Sequence, residues 1–396
     1  MKAAAALEFL PFARPSITAL ERAAVLDVLD SGWLTTGPRT KEFEARFAET
    51  VGSRHALAFN SATAALHLAL EGLGVGPGDE VIVPTWTFAA SAEVVVYRGA
   101  VPVLVDVDAA TLNATPDAVE EAVTPRTKAV VAVHFGGRPM AIGELVQRLD
   151  RRGIPVVEDA AHAFPSRIAE LGGRFAGTIG RAGAFSFYAT KTITTGEGGM
   201  LVTDDDALAD RARLMGLHGI SRHAWNRYAA GGSWSYEIED AGYKYNMTDL
   251  AAALGLAQLS RAEELLGARR ELAAGYRRRF VGSGFDDLID LPADAPDESH
   301  AWHLYVVRLR LERLGIDRAA VMDALQARGI GASVHFIPLH LHPYYRSRPE
   351  TTPRALPVAS REFERVISLP LWPGMADADL DRVVGALGDI LTPTRR

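Results

Sequence analysis

From His55 onward, short apolar and β-branched runs alternate with stretches whose apolar residues recur at helical spacing. This pattern predicts a sheet with helices packed on both faces. The predicted strands span 55–59, 81–84, 102–106, 128–134, 155–158, 183–188 and 199–203. Within them VIV, VLV, AVVAV and VV are continuously apolar rather than alternating, as expected of strands buried on both faces of a mostly parallel sheet. Helical periodicity fills most of the gaps, at Ala62 to Glu71, Phe88 to Arg98, Pro116 to Ala122 and Ile142 to Arg152. Such helices suit crossover connections between parallel strands. The gap before the seventh strand breaks the rule: Ala189 to Gly198 is too short for a crossover helix and rich in Gly and Thr.

Further on, Thr248 and Asp249 can cap a long amphipathic helix through Leu250, Leu254, Ala257 and Leu265 towards Tyr276, weakened by Gly267 and Gly275. A domain boundary is expected along it, dividing residues 1–260 from 261–396. The second unit reads as a small α+β domain. It has a strand at His303 to Leu311, a helix from Asp317 to Arg328 ended by Gly329, a Pro/His-rich stretch to Tyr345 and a final helix after Ala376.

Composition narrows the function. The 396 residues are 48% hydrophobic and 23% charged, with a net charge of −7. A mildly acidic chain without a basic run lacks the electrostatic footprint of a nucleic-acid binder or of a protein that docks on anionic lipid. The absence of cysteine excludes disulfides, thiolate metal sites and thiol nucleophiles. Met1 to Pro11 is too short and too broken by Glu8 for a secretory leader, and no apolar run reaches membrane-spanning length. A cytoplasmic protein is the expectation.

Three features then carry chemistry. Asn60-Ser61-Ala62-Thr63 joins the first strand to its helix, where hydroxyls and free backbone N–H groups form an anion site, although a plain helix cap would use the same residues. Asp159 ends the fifth strand, at the strand edge where open α/β sheets bind ligands, although a turn-forming Asp is equally at home there. Lys191 lies in the Gly/Thr-rich gap. It is either simply solvated or held partly desolvated, its pKa lowered so that the amine becomes a nucleophile towards a carbonyl. An anion-binding helix start, a strand-end carboxylate and a loop lysine are three parts that a pyridoxal 5'-phosphate (PLP) site needs.

The motifs go further. The chain carries SGWLTTGP (31–38), NSATAALHLAL (60–70), GPGDEVIVPTWTF (76–88), VDVD (105–108), EDAAHA (158–163), SFYATKTITTGEGGM (186–200), YKYNMTDLAAALG (243–255) and VHFIPLH (334–340). Through these blocks it resembles, over nearly its whole length, the DegT/DnrJ/StrS family of nucleotide-sugar aminotransferases, a branch of the fold-type-I PLP enzymes. The resemblance implies a seven-stranded, mostly parallel sheet in a large PLP-binding domain, followed by a smaller C-terminal α+β domain.

It also implies roles. Lys191 is the catalytic residue and carries the cofactor, Asp159 pairs with its pyridine nitrogen, Phe88 stacks on the ring and His162 lies near the ring hydroxyl. Ala62, Thr63 and Ser186 hold the phosphate, which Asn246 reaches from the neighbouring subunit of a homodimer with shared active sites. His335 faces the substrate sugar. The cofactor cycles between PLP and pyridoxamine 5'-phosphate, with L-glutamate as donor and a nucleotide-linked 4-keto-6-deoxy sugar as acceptor. A 3-ketosugar acceptor stands next. Two readings besides an aminotransferase are a sugar dehydratase of the same family and a non-catalytic PLP-binding regulator. Lys191 counts against the first, because such dehydratases replace the lysine, and the intact site counts against the second. Where relatives commonly have Ala-His-Ala-x-Gly and a Gly-Asp before the sixth strand, this chain has Phe164-Pro165, a longer stretch through Leu171, and Gly180-Arg181. That puts the loop's shape in question and leaves the chemistry intact.

The remaining polar clusters weigh less. His335, His340 and His342 sit in a Pro-rich loop without a carboxylate motif, a poor case for metal. Asp106 and Asp108 read as turn chemistry. Residues 218–236 mix cations, aromatics and glycines as a functional loop would, and Arg222 and Arg227 are candidates for a substrate diphosphate, although each could equally be an ordinary surface residue.

Overall fold

The computed structural model describes residues 8–220, 236–294 and 299–396. Seven strands, β1 (His55–Phe59), β2 (Glu80–Pro84), β3 (Val101–Val105), β4 (Thr127–Val133), β5 (Val156–Asp159), β8 (Ala182–Ser186) and β9 (Gly199–Thr203), form one sheet in the order β1-β9-β8-β5-β4-β2-β3. The missing numbers, β6 (Arg167–Ile168) and β7 (Arg174–Phe175), pair as a small antiparallel ribbon. Strand β9 runs antiparallel to both β1 and β8, whereas the remaining pairs are parallel. The reversal follows from the short connection between β8 and β9. Without room for a crossover helix the chain must turn back on itself, and the turn leaves Lys191 beyond the carboxyl end of β8.

Alternate strand residues feed two cores, which is why the strands read as continuous apolar runs. On one face Ala56, Ile82, Val130, Val156 and Phe185 pack with Phe43, Phe47 and Leu145. These come from α2 (Pro38–Val51), which follows α1 (Ala19–Ser31), and from α6 (Ile142–Asp150). The other face packs Leu57, Val81, Val131, Val157 and Leu201 under α3 (Ala62–Gly72), α4 (Ala90–Tyr97) and α7 (Asp206–Met215). Helix α5 (Pro116–Glu121) completes the crossovers. The large sheet and its helices thus have the fold-type-I arrangement.

The expected long helix is two. Helix α8 (Asp249–Ser260), capped by the Thr248 side chain, stops at Arg261, whose φ of −107° and ψ of 8° are non-helical; α9 (Ala262–Phe280) then runs unbroken through Gly267 and Gly275. The two glycines lie inside a helix whose buried face supplies the stabilisation their own propensity lacks. Helix α9 spans two cores. Ala262 and Leu265 pack in the large one, whereas Ala273, Tyr276 and Phe280 join a third core built on β10 (Ile289–Asp290), β11 (Tyr305–Leu309) and β12 (Val366–Leu369). Helices α10 (Arg318–Ala327) and α13 (Asp377–Leu391) close that core, with α11 (Pro343–Arg346) and α12 (Pro357–Phe363) on the connection between them. Leu10 also enters it, because the N-terminal arm pairs beside Ile330.

One buried carboxylate holds the loop that departs from the family pattern. Glu158, fully buried, accepts from His134 Nε2 at 2.8 Å and from the backbone N–H groups of Gly177, Ile179 and Gly180 at 2.6–2.8 Å. Burial alone would raise its pKa, but the His134 contact and the backbone donors outweigh it and draw the value below 4.5. Its stabilising effect is therefore complete above that value and is lost as the pH falls through the depressed one. Glu158→Ala, which strands these donors, should cost about 3 to 5 kcal/mol in urea unfolding at pH 7. Glu158→Gln should flatten the acid limb of a stability-against-pH curve.

Candidate active site

At the carboxyl ends of the strands lies a cavity of about 450 Å³ that brings together Ala62, Thr63, Phe88, Asp159, His162, Ser186, Lys191 and His335. Ser61 caps α3 through Oγ, which accepts from Ala64 N at 3.1 Å. The N–H groups of Ala62 and Thr63 in the same first turn have no intrahelical acceptor and carry the positive end of the helix dipole. A side-chain cap and unsatisfied donors thus coexist in this turn. Gly199 packs directly against the helix start, where a Cβ would fall 2.3 Å from Ser61 C and 2.4 Å from Ala62 N. Only glycine lets β9 approach the helix start this closely.

Asp159 ends β5 with 6% of its surface exposed. Ser91 Oγ donates to its Oδ2 at 2.6 Å, Ala161 N donates to Oδ1 at 3.1 Å, and Thr87 Oγ1 lies 2.7 Å from Ser91. This chain of hydroxyls orients the carboxylate. Lys191 lies across the cavity in the turn between β8 and β9, its N–H bonded to Tyr188 O at 2.9 Å. The side chain is half-buried, and desolvation, opposed by Asp159 and reinforced by Arg269, pulls its pKa down to about 8. The nearest polar partner is unforeseen: His303 Nε2, 3.5 Å from Nζ.

Histidines line this wall. Gly136 N donates to His162 Nδ1 at 3.2 Å, so the ring proton resides on Nε2. Burial, then Lys191, hold His162 and His303 well below the ordinary imidazole value. The same two causes bring His335 to about 4. All three are neutral at pH 7, and His303 Nδ1 has no hydrogen-bond partner. Phe88 is 62% exposed at the rim and meets Phe336 at 5.8 Å between ring centroids. Phe12, from the N-terminal arm, stacks on His335 at 5.2 Å.

Other expected residues fall elsewhere. Asn246 bonds Thr36 Oγ1 at 2.7 Å and is not among the residues lining the cavity. Arg222 and Arg227 lie outside the described residues. His340 has both nitrogens engaged, by Thr85 and Ser360, and His342 meets the Ile337 carbonyl. Among the described residues no group of three or more potential ligands is placed to hold a metal. Asp106 accepts from Val358 N and Ala359 N at the start of α12, and Asp108 from Ala110 N and Thr111 N in a turn. Ser91, Phe12, His303 and Arg269 were invisible to motif reading, since none sits in a phosphate, strand-end or loop-lysine pattern, and Phe336 lies within VHFIPLH but was given no role there.

The cavity suits PLP. It offers a helix start with free N–H groups for a phosphate, a buried carboxylate for a protonated ring nitrogen, flanking rings and a desolvated amine without an ion-pair partner.

Comparison with known proteins agrees with this geometry. The DegT/DnrJ/EryC1/StrS aminotransferase family model matches residues 15–388. The chain is 48% identical over 384 residues, 97% of each protein, to the spore coat polysaccharide biosynthesis protein SpsC of Bacillus subtilis. Its fold superposes on the PLP form of Spr1654, a candidate sugar aminotransferase of Streptococcus pneumoniae, with a TM-score of 0.86, 34% identity and coverage of 96% and 98%. The pyridoxamine form of that protein gives 0.87. DesI, solved in the presence of its TDP-sugar product, gives 0.84 with 35% identity, covering 96% of this chain and 92% of DesI.

Proposed function

This chain belongs to the DegT/DnrJ/EryC1/StrS aminotransferase family, and on that premise we propose that it moves an amino group from L-glutamate to a nucleoside-diphosphate-linked ketosugar. It is a PLP-dependent sugar aminotransferase. The acceptor we propose is a 4-keto-6-deoxy sugar, and the product an amino sugar for surface polysaccharide or natural-product glycosylation. The observation that carries the reading is a single one: a partly desolvated amine at Lys191 shares a cavity with the buried carboxylate of Asp159 and a helix start.

Bound PLP supplies an electron sink through which an amino group and a proton pass between donor and acceptor carbons. The residues proposed to hold it are Ala62, Thr63 and Ser186 at the phosphate, Phe88 and His162 about the ring, and Asp159 at the ring nitrogen. Asp159, aimed by Ser91 and Ala161, would retain the proton on that nitrogen. With a pKa of about 8, Lys191 Nζ is near balance between amine and ammonium at working pH, so it can take a proton from one carbon and return it to another. His162 presents Nε2–H as a donor, its tautomer set by Gly136. Neutral His335 is positioned to accept from or donate to a sugar hydroxyl.

The active site is proposed to be shared in a homodimer. Asn246 stands outside its own cavity, and Leu20, Leu26 and Leu29 of α1 with Trp33 and Leu34 expose an apolar strip that a second copy would cover. No described helix is long and apolar enough to cross a membrane, and the reaction is proposed to run in the cytoplasm.

The test is an absorbance spectrum of the PLP-loaded protein before and after L-glutamate, followed by nucleotide-ketosugars with mass detection of the aminated product. Conversion of the PLP band to a pyridoxamine band, then its recovery on adding a 4-ketosugar nucleotide, is expected. A donor other than glutamate, or no recovery with any nucleotide-ketosugar, would overturn the proposal. For the diphosphate, Arg222→Ala and Arg227→Ala should each raise KM for the nucleotide-sugar about tenfold, leaving the glutamate half-reaction unchanged. Equal KM values would remove both residues from the site.

A further inference from the structure

We infer that Arg269 is a positioning residue for amino transfer: its buried guanidinium ties the Lys191 turn to α9 and to the segment bearing His303, and holds a positive charge beside the lysine amine. The inference rests on Lys191 being the lysine that carries the cofactor.

On α9 the buried face runs Leu265, Leu266, Arg269, Ala273, Tyr276 and Phe280, so an arginine occupies a place in an otherwise apolar stripe. It is 2% exposed. It donates only to backbone carbonyls, through Nη1 to Leu371 O at 3.0 Å and Trp302 O at 3.2 Å and through Nη2 to Thr190 O at 3.4 Å; Nε has no partner. Among the described residues no carboxylate pairs with it. Burying a cation without a counter-ion is costly, and an apolar side chain would pack in the stripe at less cost. The three carbonyls say what the arrangement holds. Thr190 precedes Lys191, Trp302 precedes His303, and Leu371 follows β12, so one planar group with fixed donors joins three segments that meet behind the amine.

The segment it grips is itself constrained. Trp302 adopts φ 46°, a left-handed conformation unfavourable for an aromatic residue, and Gly137 at φ 98° allows the Trp302 and His303 backbone to come within 3.0 Å of where its Cβ would be. Ala301 N bonds Gly137 O at 2.9 Å and Leu304 N bonds Gly136 O at 3.1 Å. The Gly136 N–H in turn sets the His162 tautomer. With the Trp302 carbonyl taken by Arg269, His303 is pinned with Nε2 towards Lys191 and its ring 4.3 Å from that of His162.

The groups facing Lys191 are few. Asp159 lies at the end of β5, the neutral His162, His303 and His335 line the wall, Glu197 sits exposed at the rim, and Arg269 is behind. Asp159 favours the ammonium form; burial and Arg269 favour the free amine. Even with burial lowering its own pKa to about 10, Arg269 keeps its charge at neutral pH. The lysine is thereby balanced between one fixed anion and one fixed cation.

The experiment follows Lys191 itself. Full-length protein freed of cofactor is labelled with acetic anhydride across a pH series, acetylation of the Lys191 peptide is read by mass spectrometry, and the PLP-loaded protein is titrated by absorbance in parallel. The wild-type labelling midpoint is expected at about 8. Arg269→Gln, which keeps donors but loses the charge, should raise it by about one pH unit, whereas Arg269→Lys, which keeps the charge, should hold it within about a third of a unit. The absorbance midpoint should move in the same direction. A wild-type midpoint near the ordinary 10.5 overturns the inference without any variant, and so does a one-unit rise in Arg269→Lys. An unmoved Arg269→Gln reduces Arg269 to packing. Borohydride reduction of the PLP-loaded protein tests the underlying reading separately: the cofactor fixed to another lysine would overturn that reading, whatever the midpoints.

Discussion

Lys191→Ala should bind PLP and still fail to turn over. The helix start at Ala62 and Thr63, proposed to take the phosphate, and the Asp159 carboxylate do not depend on the lysine for their geometry, since Ser61, Gly199 and Ser91 hold them in place. What disappears is the amine that the described residues place in the cavity, and with it the group proposed to take and return the proton. A positioned acid and base contributes up to about four orders of magnitude to rate, and the loss of kcat should be at least of that size. Stopped-flow absorbance with glutamate, beside equilibrium dialysis for PLP, checks both halves. Normal transamination by this variant would remove Lys191 from the mechanism, whereas loss of PLP binding alone would make the lysine chiefly an anchor. For the wild type, the free-amine fraction grows as the pH rises through about 8, so steps that need neutral Nζ should accelerate to that point and then level off.

Asp159→Asn should lower kcat by about a hundred- to a thousandfold with the fold intact. The amide keeps the shape of the side chain and can still meet Ser91 and Ala161, but it has no negative charge to retain a proton on a ring nitrogen. The substitution has a second signature. Asp159 favours the Lys191 ammonium, so its loss should move the Lys191 midpoint below about 8, opposite in sign to Arg269→Gln. Steady-state kinetics and acetylation of the Lys191 peptide measure the two effects independently. A variant within a few-fold of wild-type kcat would place the carboxylate in a structural role.

Both substituted residues sit where local sequence is most informative, a strand end and the turn after a strand. The sheet was readable because strands such as β4 and β5 are covered on both faces, so Val130, Val131, Val156 and Val157 are all buried and the apolar run is unbroken. The β8 to β9 reversal was readable as a gap too short for a helix. Helices α1 and α2 were missed. The first exposes Leu20, Leu26 and Leu29, so its apolar residues do not mark an inward face. Strand β12 was missed because a four-residue run after a helix carries no alternation of its own. The helix break at Arg261 also escaped notice. It rests on a tertiary bond, Arg261 Nη1 to Glu21 Oε1 at 2.6 Å, between residues 240 positions apart.

By itself, then, the sequence determined the seven strands of the large sheet, its crossover helices, the family and the candidacy of Lys191, Asp159 and the start of α3. Each of these is written in a contiguous stretch, as a period, a cap or a motif. Tertiary structure alone decided that His303 meets Lys191 across 112 positions and that Arg269 reaches Thr190 across 79. A histidine or arginine has the same local propensities whether solvated or buried. Its charge state and its partners depend on which distant segments exclude water from it, and that is set only when the chain has packed.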